Sequence, residues 1–352
     1  MNVQTESGFV EIDGSYGEGG GQLLRTAVAL SAITSKPVRI KAIRAGRENP
    51  GLQAQHLKGV EAVAALCDAR LQGAHMRSTE LTFEPAEIKP RSLTVDVGTA
   101  GAVTLVLQAL TLAAARSPGT TTVDLTGGTH VSWSPPVDYF RDIFCHHLRS
   151  IGVEVTLKLL KHGFYPKGGG RVDVEIRGSR DWRALDIGNP ATVDRITVRS
   201  VASVDLKIAR VAERQHDGFR SVIPEVVIEE TSYVPSLSTG SAISAQAVCG
   251  VTRLGSDALG KRGVRAEQVG QEAARNLKAE IDSGASLDVH AADMMLPYLA
   301  LASRSSRFAV RELTGHINSV QWLVRQFVDV DFGVERKGNL HVISVNPNSS
   351  GA

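Results

Sequence analysis

Stretches of small and apolar residues alternate with polar, glycine-bearing loops along most of this chain, and the alternation repeats. Leu23 to Ile33 is rich in small and apolar residues and predicts a helix, while the apolar–polar alternation of Val38 to Ile43 predicts a strand. A polar loop, Ala45-Gly46-Arg47-Glu48-Asn49-Pro50-Gly51, leads into a second helix at about Gln53 to Cys67, and a strand near Leu81 to Glu84 closes the unit. The same order then returns. Gly98-Thr99-Ala100-Gly101 precedes an apolar helix, Val103 to Ala115; strand Thr121 to Leu125, helix Val137 to Ser150, and strands Val153 to Leu157 and Arg171 to Ile176 follow. In a third copy, Ala292 to Ala302 is the apolar helix, Phe308 to Glu312 the strand, Thr314-Gly315-His316 the loop, Ser319 to Val328 the second helix and Leu340 to Val345 the last strand. Three copies of one unit built from strands and helices define an α/β fold class.

Roughly a hundred residues separate the second copy from the third. Within them, Ile196 to Ser203, Glu225 to Val234 and Ala242 to Cys249 read as strands, and Lys207 to Val222 and Arg265 to Ile281 as helices. Gly250 to Gly263 reads as a charged, mobile connection because of its glycines. The expected layout is a large domain of three repeats, residues 1–184 and 285–352, with a smaller α/β domain, 185–284, inserted between repeats two and three. If the copies pack alike, their loops present Arg47, His130 and His316 in comparable surroundings.

Composition narrows the function classes. A length of 352 residues allows two domains, and a formal net charge of +2 excludes a wholesale polyanion-binding surface, so any nucleic-acid contact must come from a local patch. Cys67, Cys145 and Cys249 are odd in number and far apart, which argues against a disulfide framework and for a reducing compartment. Met1 to Glu11 has no apolar core of the signal-peptide kind, and the longest apolar run, Val103 to Ala115, is too short to span a bilayer. A cytoplasmic protein is expected.

The segment Gly14 to Arg25 carries five glycines and runs straight into the first helix. Glycines permit close backbone approach, and a helix start leaves N–H groups unpaired, so the segment is a candidate anion site. Glu18 complicates that reading, because an acid there repels a bare phosphate unless a cation lies between them, whereas Arg25 can reach an oxyanion directly. A tight strand-to-helix turn explains the glycines equally well. His316 follows a glycine at a predicted helix start, where the local field favours a neutral, nucleophilic ring. His290 stands three residues before Asp293, which places the two on one helix face if the helix begins that early, although a capping or surface pair accounts for the spacing as well. Gln108 is an amide inside an apolar helix and needs a partner or a ligand. Arg44 and Arg47, with Gln55 and His56 behind them, are donors suited to phosphate, although a solvated basic loop accounts for them as well.

Gly14 to Arg25, Arg44-Ala45-Gly46-Arg47, Pro50-Gly51-Leu52 with Gln55-His56-Leu57, Thr104-Leu105-Val106-Leu107-Gln108, His162-Gly163-Phe164-Tyr165-Pro166 with Gly168-Gly169-Gly170, and the distal histidine segment together resemble the RNA 3′-terminal phosphate cyclases. The likeness covers almost the whole chain, and Thr129-His130-Val131-Ser132-Trp133-Ser134-Pro135-Pro136 is similar to the archaeal form. The resemblance implies three repeats with an inserted domain, and a reaction in which ATP adenylates a histidine, AMP passes to an RNA 3′-phosphate, and the 2′-hydroxyl closes a 2′,3′-cyclic phosphate. Carried across by motif, His316 is the nucleophile; Gln108, His290, Ala291, Ala292, Asp293 and Met294 line the nucleotide pocket. Glu18 holds a divalent cation, Mg²⁺ or Mn²⁺, and Arg25, Arg44 and Gln55 steady phosphates of ATP or of the RNA end. Four positions depart from the family pattern: Met294 where glutamine is usual, Ser319-Val320 for Thr-Asn, and Arg325 where glutamate is frequent. They bear on nucleotide preference within the expected site. A cyclase-like RNA-binding ribosome assembly factor without catalysis is the alternative, and an enolpyruvyl transferase of related repeat architecture a third reading.

Overall fold

The computed structural model describes residues 8–188, 192–226 and 228–348. The reading of Met1 to Glu11 therefore lies largely outside the described residues, as does Val227 within one expected strand. The first unit is β1 (Val10–Asp13), α1 (Gly21–Thr34), β2 (Val38–Lys41), α2 (Ala54–Leu66), β3 (Arg70–Gln72) and β4 (Leu81–Glu84), with sheet order β1-β2-β4-β3. β1 and β2 run parallel, and the other two pairs are antiparallel. The second unit repeats this topology with β5 (Ser92–Asp96), α3 (Val103–Ala114), β6 (Thr120–Gly127), β7 (Glu154–Lys161) and β8 (Gly170–Arg177) in the order β5-β6-β8-β7. Its second helix is α4 (Val137–Tyr139) continued through a π-helical turn, Phe140–Phe144, into α5 (Cys145–Ser150).

The segment that follows builds a sheet of its own. β9 (Arg195–Ser203), α6 (Val211–Arg220), β10 (Ile228–Val234), β11 (Ser241–Cys249), β12 (Thr252–Leu259) and α7 (Ala266–Ser283) give the strand order β10-β9-β11-β12. Val198, Phe219, Ile243, Leu254 and Leu277 are buried here in a cluster separate from the main core. β12 overturns the reading of Gly250 to Gly263 as a mobile connection. Gly250, at φ +59°, and Val251 turn a hairpin, and the strand pairs with β11 over eight residues from Cys249↔Thr252 to Ala242↔Leu259. Thr252, Leu254, Ser256 and Ala258 supply the buried face. Arg253 and Asp257 on the other face had masked the alternation.

The third unit holds α8 (Val289–Ala300), β13 (Ser306–Val310), α9 (Gly315–Phe327), β14 (Val330–Lys337) and β15 (Leu340–Pro347), with strand order β13-β15-β14. The place of its first strand is taken by residues well upstream: Ile187 N donates to Arg307 O at 3.0 Å and Arg307 N to Leu185 O at 2.7 Å, a parallel bridge. The chain thus leaves the third unit after its first-strand position, runs through β9 to α7, and returns. Leu24, Val28, Val106, Leu110, Leu299 and Leu323 share one buried core, so α1, α3, α8 and α9 form the interior layer common to the three units. That layer places the starts of α1, α8 and α9 around one cleft. Among the described residues no helix is long and apolar enough to cross a membrane.

Candidate active site

The glycine loop of the first unit docks on the first turns of α9. Gly17, at φ +59°, lies so close that a Cβ there would fall 2.3 Å from Ser319 Oγ, and Tyr16 stacks on Trp322 with centroids 3.9 Å apart. The dock brings Glu18 to His316, with Oε2 3.2 Å from Nε2, although 298 positions separate them in sequence. Gly315 is required for this closeness, since a Cβ there would stand 2.4 Å from Glu18 Oε1. Thr314 caps α9 by accepting from Ile317 N at 3.2 Å, so His316 sits in the first turn. Burial lowers the His316 pKa below the usual histidine value; Glu18 pulls it up, while Arg25, Arg47 and His290 push it further down. The balance favours the neutral ring, which keeps a lone pair.

Arg25 lies one helical turn inside α1 and is buried, its Nη2 donating to Gln108 Oε1 at 3.1 Å. Desolvation lowers its pKa to about 10, which leaves it charged at neutral pH, with Asp293 supporting the charge and Arg44 opposing it. Burial and the neighbouring Asp288 push the Asp293 carboxyl well above the carboxylate range, against the attraction of Arg25. Arg25, Gln108, Asp293 and Met294 line one cavity of about 30 Å³ together with Gln22 and Tyr298. Gln22 Oε1, Arg25 Nε and Tyr298 Oη are buried without a hydrogen-bond partner among the described residues, the arrangement a polar ligand or water satisfies. The enclosed space admits a ring edge or about two waters rather than a whole nucleotide.

The other expected residues stand at varying distances from this centre. Gln55 rests against Gly101, where a Cβ would fall 2.9 Å from its Oε1, and so links the first unit to the glycine loop of the second. Arg44, in the left-handed region at φ +54°, donates through Nη1 to Asn49 O at 2.6 Å and Gly51 O at 2.9 Å, so part of its hydrogen-bonding capacity holds its own loop. His290 is exposed at the start of α8, edge-on to Tyr139. Ala291 and Ala292 are fully buried in the main core.

Three expectations change. His130 is buried, unlike half-buried His316: Thr129 Oγ1 and Asp138 Oδ2 occupy its two ring nitrogens at 2.8 and 2.9 Å, and His162 stacks on it. His56 is no cationic donor. Its Nδ1 accepts from Gln53 N at 3.2 Å to close the start of α2, and burial beside Arg25 and Arg44 brings its pKa down to about 3, so it faces Gly21 as a neutral Nε2–H. Of the departures, Val320 is fully buried in the core one helical turn after His316, and Arg325 lies over the Phe332 ring at 5.1 Å; Met294 lines the cavity and Ser319 meets the glycine loop.

Sequence reasoning missed Asp288, Gln22 and the part played by Arg47. Asp288 caps α8, accepting from His290 N and Ala291 N, and also takes the Tyr139 hydroxyl at 2.5 Å and Gly255 N at 2.9 Å. An aspartate just before an apolar helix was the available signal. Arg47 spans the glycine loop, with Nη2 3.1 Å from Glu18 O and 3.9 Å from its carboxylate.

A repeated α/β scaffold thus brings a histidine, a carboxylate and a buried arginine together at converging helix starts, an arrangement of donors and charge that can meet phosphate groups. Comparison makes this specific. The family model described as RNA 3′-terminal phosphate cyclase matches residues 16–334. A relative from Pyrobaculum neutrophilum with that name is 43% identical over 96% of this chain and 98% of its own. Another from Methanopyrus kandleri is 41% identical over 96% and 99%, and a bacterial one from Nitrosospira multiformis 41% identical over 97% and 98%. Among solved structures, the enolpyruvyl transferase NikO from Streptomyces tendae aligns at 11% identity and a TM-score of 0.22, over 97% of this chain and 82% of that one, too slight a likeness to bear on the fold. The chain belongs to the RNA 3′-terminal phosphate cyclase family.

Proposed function

We propose that the protein uses ATP to convert an RNA 3′-terminal phosphate into a 2′,3′-cyclic phosphate, with His316 as the adenylated nucleophile. The observation that carries this reading is the neutral, half-buried His316 beside Glu18, in a family member whose relatives bear the cyclase name. The neutral ring attacks the α-phosphorus of ATP through its unprotonated nitrogen; an N–P bond forms, pyrophosphate leaves, and the Glu18 carboxylate beside Nε2 offsets the positive charge that builds on the ring. An oxygen of the RNA 3′-phosphate then attacks the same phosphorus, breaking the N–P bond and joining AMP to the RNA end. The adjacent 2′-hydroxyl finally attacks the terminal RNA phosphorus, loses its proton, and expels AMP. Activation is needed because a dianionic phosphate repels nucleophiles and has no good leaving group.

In this reading Arg25 and Gln55 meet phosphate oxygens, and Gln108, Asp293, Met294 and the start of α8 receive the base and ribose. Asp293, held toward its neutral form, donates a hydrogen bond instead of repelling the nucleotide. A divalent cation fits the donor set only as a nucleotide-borne ion. Among the described residues no three His, Cys, Asp or Glu side chains form a metal cage, and Glu18 offers one carboxylate, the usual protein share for Mg²⁺ held mainly by phosphates and water. Such an ion would neutralise phosphate charge next to Glu18. Residues 195–283, with their own sheet and buried cluster, form the small inserted domain of this scheme.

The test is incubation with ATP and a 3′-phosphorylated oligoribonucleotide. The expected outcome is a phosphatase-resistant cyclic end formed in step with AMP. An RNA that binds but keeps its 3′-phosphate would instead favour the non-catalytic RNA-binding alternative.

A further inference from the structure

Two aromatic side chains are left in solvent on neighbouring loops of the second unit, and neither is explained by packing. Trp133 is 97% exposed and Tyr165 74% exposed, and neither ring has an aromatic or cationic partner among the described residues. Trp133 also sits at φ +65°, a region a bulky residue seldom adopts. The loop around it is nevertheless fixed. Ser134 Oγ donates to Val131 O at 2.9 Å, Thr104 Oγ1 donates to Pro135 O at 2.7 Å, and Val131 packs with Ala100, Ala102 and Leu105. Thr104 is one helical turn before Gln108, so this loop stands on the helix that holds the candidate nucleotide site.

Tyr165 occupies a neighbouring loop that runs parallel to the first, through the bridge between His130 and Phe164. Phe164 is buried and anchors the loop from below. Gly168 lies on the second unit's glycine loop, where a Cβ would fall 2.8 Å from Ala100 Cα, and Lys167 N donates to Ser238 Oγ at 3.1 Å. The contacts form a track: Gln55 touches Gly101, Ala100 touches Gly168, and Tyr165 and Lys167 follow on the same loop. Lys161 and Lys167, which flank this loop, make no ion pair among the described residues. Exposed flat rings with unpaired lysines suit a chain of bases and phosphates, and stacking on aromatic rings needs no particular sequence.

We propose that Trp133 and Tyr165 form a stacking platform for bases of single-stranded RNA upstream of the reacting 3′ end, an inference that rests on the cyclase reading for where that end lies. The 3′-phosphate sits toward Arg25 and Gln55, and preceding nucleotides cross the second unit's glycine loop onto the two rings. Stacking is worth about 1–3 kcal/mol per base, so loss of either ring weakens an oligonucleotide by about 5- to 150-fold.

The test compares a fluorescently labelled oligoribonucleotide of about eight nucleotides bearing a 3′-phosphate with a nucleoside 3′-phosphate that has no upstream base. Trp133→Ala and Tyr165→Ala should each weaken the oligonucleotide by the factor above and leave the mononucleotide unaffected, while Trp133→Phe retains most of the oligonucleotide affinity. An oligonucleotide affinity indifferent to the double alanine variant would overturn the platform and assign the rings to a protein partner. An equal loss for mononucleotide and oligonucleotide would also overturn it, pointing to a disturbed end site. Because binding is read without turnover, a protein that binds through these rings but never cyclises would refute the cyclase reading alone, and a cyclase indifferent to them the platform alone.

Discussion

His316 feels opposed influences: burial and three neighbouring cationic or imidazole groups favour the neutral ring, and Glu18 favours the charged one. In the proposed reaction the attacking ring must be neutral, so the rate of protein–AMP formation should rise with pH to a plateau, with a midpoint below the ordinary histidine value of about 6.5. Removing the carboxylate in Glu18→Gln takes away the one influence that raises the pKa, and the midpoint should move lower. A midpoint that stays put or rises in a pH profile of adduct formation would mean that the pair does not interact in solution. Gly315→Ala tests the same contact by crowding. Its Cβ displaces Glu18 rather than the helix, because alanine is a good helix former, so adduct formation should fall roughly tenfold or more while the unfolding midpoint in urea holds. At this scale Glu18, Arg25 and His316 were legible because each broke a local pattern, an acid among glycines or a charge in an apolar helix. Gln22 and Asp288 were not, since their importance comes from residues such as Tyr139 and Gly255 that only the fold brings near.

Helices were read from the sequence to within a few residues, because an apolar face repeats over several turns. Short strands escaped: β1, β3, β5 and β14 are brief or exposed, with little hydrophobic signal. β12 escaped because its outward side chains are charged. One of these, Asp257, has a pKa raised to about 7 by burial and by Asp288 and Glu272. Its folded-state pKa lies above the unfolded value near 3.9, so the folded protein holds the proton more tightly and stability drains away as pH rises toward and through 7. Asp257→Asn should therefore raise stability at pH 8 by about 1–2 kcal/mol, after allowance for partial exposure, and change little at pH 4, as urea titrations at the two pH values will show. Thr314→Ala removes the cap of α9 and should cost about 1 kcal/mol in the same assay.

Across the whole molecule, the cleft exists only because separate units meet. Glu18 and Arg25 come from the first unit, Gln108 from the second, and Asp293 and His316 from the third; Asp288 ties Tyr139 of the second and Gly255 of the inserted sheet to the start of α8. Asp288→Ala leaves three N–H donors, two of them buried, and a buried tyrosine hydroxyl without their acceptor, and a loss of about 3 kcal/mol or more in global stability is expected by denaturant titration. The repeat was visible in the sequence, but not that the third unit's first-strand position is filled before the chain departs for β9, since that segment makes one bridge rather than a strand. The central claim is that these units converge to make His316 a nucleophile toward ATP. Incubation with α-phosphate-labelled ATP and magnesium tests it most directly: the account predicts an acid-labile label on the protein that is lost in His316→Ala. No label on the native protein, or a label that survives His316→Ala, would contradict it.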